Sequence, residues 1–85
     1  MPIYEGKNAY DFDTDSIWFH LREGEAVLKC SISREALQDH FGPEGAIEAL
    51  FSENEDRIVA AASAKHVANK LDPDGWARLR TTDKI

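Results

Sequence analysis

One cysteine, Cys30, stands among the 85 residues, so no disulfide can close within the chain. Such sparing cysteine use fits a reducing compartment. Long apolar runs are missing as well. A membrane helix needs about eighteen consecutive apolar residues, and nothing here approaches that. Met1 to Lys7 lack an apolar signal core, so a cytoplasmic protein without membrane contact is expected. Positive charge is scarce: 10 Lys+Arg face 16 Asp+Glu, a formal charge of −6. Net repulsion of a polyanion disfavours nucleic acid, whose binding rests on phosphate neutralisation. Metal-ligand spacings are absent too. His20, His40, His66 and Cys30 make neither a His-x-x-x-His nor a Cys-x-x-Cys pair. Asp11, Asp13 and Asp15 alternate like the opening of a calcium loop. Ser16, however, stands where that loop needs glycine, and Arg22 stands where it needs glutamate. No catalytic residue, metal or cofactor is expected.

What is present is enough for one domain spanning residues 1–85. A chain this short buries roughly 60–65% of its unfolded surface, leaving little room for a large internal cofactor. The expected core is Ile17, Phe19, Leu21, Leu28, Ile32, Leu37, Phe41, Ile47, Leu50, Phe51 and Ile58.

Pro2 to Glu5 reads as a short edge strand. Gly6 to Ser16 reads as a loop anchored by Tyr10 and Phe12. Ser16 to Arg22 and Glu25 to Ile32 are rich in β-branched and aromatic residues and read as paired strands. A two-residue turn at Glu23-Gly24 sets a register in which Phe19 faces Leu28 and Trp18 faces Lys29. Alternation then sorts the side chains. Ile17, Phe19, Leu21, Ala26, Leu28 and Cys30 share the core face. Trp18, His20, Arg22, Glu25, Val27 and Lys29 share the other.

Ser33 suits a helix N-cap, with Glu35 in the first turn and Gly42 at the C-terminus. Pro43 suits the start of the next helix. Apolar spacing predicts a long helix from about Glu44 to Leu71, with a kink near Ser52 to Asn54. Asp72-Pro73-Asp74-Gly75 ends it. Trp76 to Thr82 is open between strand and helix, and the alternation of Ala77, Leu79 and Thr81 favours a strand. The expected class is α+β: an antiparallel hairpin-based sheet, packed on one face by a short and a long helix and closed by a C-terminal strand.

Three groups carry functional expectations. Cys30 shares the alternation of Leu28 and Ile32, which makes it a buried hydrophobe and not a reactive thiol. Trp18, His20, Val27 and Lys29 form an aromatic and cationic cluster on the non-core face. Either the C-terminal segment or Tyr10 and Phe12 cover that face, or a partner does. Arg78, Arg80 and Lys84 beside Trp76 form a basic cluster, read as a charged edge strand or as a phosphate-tracking contact.

Cys30-Ser31-Ile32-Ser33, Ala36-Leu37 and Asp39-His40-Phe41-Gly42 together resemble the core motif of a family of small bacterial proteins, the domain of unknown function 1488. Trp18-Phe19, the stretch Phe51 to Ile58 with Asn54 and Arg57, and Thr81-Thr82-Asp83 extend the resemblance over most of the chain. It implies a compact α+β domain in the bacterial cytoplasm and no established activity. The leading expectation is a non-enzymatic interaction module that binds a protein partner, or a second copy as a homodimer, through Trp18, His20, Val27 and Lys29. The alternative is a small regulator touching nucleic acid through Arg78, Arg80 and Lys84.

Overall fold

The computed structural model describes residues 2–42, 44–83 and 85. Its elements run β1 (Ile3–Asp11), β2 (Ser16–Glu23), β3 (Ala26–Ser33), α1 (Arg34–Phe41), α2 (Ile47–Glu53), α3 (Glu55–Val67) and β4 (Ala77–Leu79). The strands form one sheet in the order β1-β2-β3-β4. β1, β2 and β3 pair antiparallel, whereas β4 joins β3 in parallel. The helical stretch between β3 and β4 supplies the long crossover that a parallel pair requires. The fold is α+β on a mostly antiparallel sheet, and the C-terminal strand is present.

The hairpin register differs from the expected one by two residues. Phe19 faces Cys30, Trp18 faces Ser31, His20 faces Lys29 and Leu21 faces Leu28. The expected pairs Trp18–Lys29 and Phe19–Leu28 do not form. The turn is Gly24-Glu25, with Gly24 at φ 62 in its first central position. That is where a type II′ hairpin turn needs left-handed backbone, which glycine adopts without strain. A shift of two conserves the parity of every side chain, so both faces keep their members.

β1 is longer than expected. It reaches Asp11, and a bulge between Tyr4 and Asn8 absorbs Gly6 at φ 81. The expected loop shrinks to residues 12–15. Tyr4 turns inward against Phe19 and Phe51, at ring distances of 6.1 and 6.2 Å. Tyr10 is half-buried, and its hydroxyl donates to Asp15. Phe12 is no anchor: it touches Tyr10 edge-on but is 86% exposed.

Ser33 caps α1, its hydroxyl accepting from the Ala36 amide at 3.1 Å. Gly42 closes α1 at φ 111, and its N–H donates to Gln38. The long helix is two helices. Asn54, at φ −120 and ψ 19, leaves the helical well, and its Nδ2 donates to the Leu50 carbonyl at 2.9 Å. A side chain that competes for backbone partners in this way breaks the ladder. α3 stops at Val67, short of Leu71, because Asn69 enters left-handed backbone at φ 55. The Lys70 and Asn69 amides then donate to Lys65 and His66, which is a Schellman closure. Pro43, expected to open the second helix, and Lys84 of the basic cluster lie outside the described residues.

All three helices pack on one face of the sheet. Ile17, Phe19 and Leu21 of β2, Cys30 and Ile32 of β3, and Ala77 and Leu79 of β4 meet Leu37, Ile47, Leu50, Phe51 and Ile58 there. Leu28 and Phe41 pack at the margin and are only partly buried. No described helix covers the other face. No described helix is long and apolar enough to cross a membrane.

Candidate interaction face

The helix-free face follows from strand parity. β2 presents Ser16, Trp18 and His20 there, β3 presents Val27, Lys29 and Ser31, and β4 presents Arg78. Trp18 is 41% exposed and Val27 49%. The Trp18 ring meets Trp76 edge-on, with centroids 5.4 Å apart. The C-terminal segment therefore covers part of this face, while Tyr10 and Phe12 do not. Lys29 finds its aromatic contact in Trp76, not Trp18: its Nζ lies 5.8 Å from the Trp76 centroid. The Arg78 guanidinium lies over the same ring at 5.3 Å.

Trp18 forms a ridge between two hollows. One, of about 170 Å³, is lined by Thr14, Ser16, Ser31, Ser33, Trp76 and Arg80 among others. The second, of about 200 Å³, is lined by Lys7, Asn8, Ala9, Phe19 and His20. Ser16 and Ser31 are 5% and 6% exposed, so their hydroxyls belong to the sheet surface itself.

The basic cluster does not stand free. Arg78 Nη1 bonds Asp72 and its Nη2 bonds Asp74, both at 2.8 Å. Arg80 Nη2 reaches Asp72 at 2.7 Å. The Arg80 and Arg78 guanidinium groups hold the Asp72 carboxyl down to about 2. Arg78 likewise holds Asp74 below the ordinary carboxylate range. Asp72 and Asp74, in the turn that precedes β4, thus neutralise the two arginines expected to track phosphate.

Cys30 is fully buried between Phe19 and Ala77 of the neighbouring strands. Its Sγ lies 3.7 Å from His66 Nε2 and donates to the Leu28 carbonyl at 3.6 Å. Burial pushes the thiol up to about 12. Burial also lowers His66, which keeps the imidazole neutral near pH 7. Two neutral groups make no thiolate–imidazolium pair, and a thiol is a nucleophile only as thiolate. His20 lies on the open face, and His40 lies on α1 beside Phe41. Among the described residues no three His, Cys, Asp or Glu side chains gather as a metal would need. Asp15 instead pairs with Arg34 at 2.9 Å, and Asp11 accepts from the Thr14 hydroxyl.

The family described as protein of unknown function (DUF1488) matches residues 4–79. The chain belongs to that family. The crystal structure of a DUF1488 protein of unknown function from Shewanella loihica superposes with a TM-score of 0.82 at 18% identity, covering 92% of this chain and 90% of that one. That likeness shows the fold. No curated protein matches.

The residues that carried the DUF1488 resemblance hold the fold together. Ser33 caps α1, Asn54 separates α2 from α3, and Cys30 fills the core. Arg57 donates to the Ile85 carbonyl and lies over Phe41. Asp83 accepts from Lys65 Nζ at 3.0 Å. Sequence reasoning missed Lys7, the hydroxyls of Thr14, Ser16 and Ser31, and the role of Trp76 as Trp18's neighbour. The signal for Ser16 and Ser31 was available, because they share the parity of Trp18 and Lys29. Lys7 was hidden by the bulge, which breaks the alternation of β1.

Proposed function

We propose that this DUF1488 chain is a non-enzymatic interaction module that binds a protein partner through the face around Trp18, His20, Val27 and Lys29, in a bacterial cytoplasm. The observation that carries the reading is Trp18 itself. It is 41% exposed on a sheet face that the helices leave open, and its support from Trp76 is edge-on. Indole at the centre of an open surface is the side chain most enriched at binding hot spots. The lone buried thiol fits a reducing cytoplasm. The neutral Cys30–His66 pair and the mutually paired Arg–Asp groups supply no activated nucleophile, which supports a binding role.

The test is immobilised wild type against Trp18→Ala in lysate of the native host, with retained proteins identified by mass spectrometry and both chains checked for thermal unfolding. A partner kept by wild type and lost by a folded Trp18→Ala variant is the expected result. Equal retention by both would refute the assignment of the face.

A further inference from the structure

The charge on this molecule is divided between its two sides. Between Arg34 and Arg57 the helical layer carries Glu35, Asp39, Glu44, Glu48, Glu53, Glu55 and Asp56. Three acids at the margin of the open face are engaged, Glu5 by Arg22, and Asp72 and Asp74 by Arg78 and Arg80, while Glu25 in the hairpin turn makes no ion pair among the described residues. Lys7 and Lys29 are exposed there and have no acidic partner among the described residues. Lys7 rims the hollow on one side of Trp18, and Lys29 lies over Trp76 on the other. A chain with a net charge of −6 thus keeps uncommitted ammonium groups on the one sheet face that its helices leave uncovered.

We propose that the partner docks on this face as an extended acidic segment carrying a large apolar side chain; this rests on the sheet-face reading above and names its occupant. The Lys7 hollow, floored by Ala9 and walled by Trp18, takes the apolar side chain. Ser31 lines the other hollow, where its hydroxyl, without a partner among the described residues, suits a carbonyl or carboxylate oxygen of an extended chain, while the Ser16 hydroxyl there is already bonded to Thr14. Lys7 and Lys29 on either side of the Trp18 ridge attract flanking carboxylates, and such complementarity chiefly sets specificity and on-rate.

Two other occupants fit less well. A second copy meeting this face through a two-fold axis presents the same patch, so the interface would gather the Lys7 and Lys29 of both copies. A nucleic acid strand would need to stack on Trp76, over which Lys29 and Arg78 already sit. It would also need Arg78 and Arg80 to leave Asp72 and Asp74.

The experiment is selection of a displayed random-peptide library on the folded wild type, on Trp18→Ala and on the double variant Lys7→Glu with Lys29→Glu. Wild type should recover acidic peptides with an aliphatic or aromatic anchor. Their affinity should fall with rising salt, and by about tenfold or more in the double variant, because two attractions become repulsions. The double variant should itself recover basic peptides. Neutral or basic peptides on wild type, no recovered peptide, or an unchanged preference in the double variant would each overturn the acidic occupant. If Trp18→Ala still abolishes binding in that last case, the sheet face stands and only the acidic occupant falls. If acidic peptides bind Trp18→Ala as well as wild type, the sheet face itself is wrong. Tight binding of an oligothymidylate, or sedimentation showing a dimer that Trp18→Ala dissolves, would install nucleic acid or a second copy in its place.

Discussion

Cys30 offers a quantitative check on the core. Its side chain is fully buried, and burial moves the thiol from 9.0 to about 12. At pH 8 a thiol at 9.0 is about one-tenth thiolate, and one at about 12 is about one part in ten thousand. Ionisation alone therefore slows reaction by about a thousandfold. Occlusion adds to this, because a reagent must wait for the fold to open. At about 0.05 kcal/mol per residue, the low end for globular domains, 85 residues give about 4 kcal/mol and an open fraction of about one in a thousand. Labelling with an aromatic disulfide reagent at pH 8 should thus be at least about a thousandfold slower in the native chain than in guanidinium. The same shift links stability to alkaline pH. The folded thiol is raised above its unfolded value, so its contribution is complete below pH 9. It is lost at up to about 1.4 kcal/mol per unit as pH climbs from 9 towards 12. Subtracting the unfolding profile of Cys30→Ala removes the lysine and tyrosine background; that variant should itself lose about 1–2 kcal/mol. Native labelling within tenfold of the denatured rate at pH 8 would refute the buried reading and make Cys30 a reactive thiol.

Phe19→Ala should cost about 3–5 kcal/mol, since Phe19 is 1% exposed and stacked among Tyr4 and Phe51. Trp18→Ala should cost about 1–2 kcal/mol, because it opens no closed cavity and loses mainly the Trp76 contact; thermal unfolding of both separates them, and equal losses would make Trp18 core. Asp72 lies below its unfolded value, so its contribution is present above about pH 4 and is lost as pH falls towards 2; acid titration of Asp72→Asn should show a flatter loss over that window. Lys65→Met should cost about 1–3 kcal/mol in denaturant unfolding, since Lys65 Nζ joins α3 to the Arg78 carbonyl at 2.6 Å and to Asp83.

Much of the fold was legible because its determinants are local. The Ser33 cap, the Gly42 stop and the Asp72–Gly75 turn depend on residues close in sequence. Strand parity named the two faces even though the hairpin register was off by two, since a shift of two leaves every side chain on its own side. The helix break was legible only as a kink, because Asn54 can cap or continue a helix and its bond to Leu50 decides which. Phe12 read as an anchor because aromatic residues are usually buried, yet the short turn at residues 12–15 carries it outward.

By itself the sequence determined the α+β class, the apolar face of the hairpin, the burial of Cys30 and the family. Each follows from periodicity, capping chemistry or motif, which act along the chain. Tertiary structure alone decided the parallel placement of β4 beside β3. That pairing brings Trp76 to Trp18 across 58 positions of sequence. It also decided that Lys7 and Lys29 flank one ridge, because the β1 bulge and the hairpin register set their places. Such meetings depend on how far separate segments close on a common core, and no local preference encodes that distance.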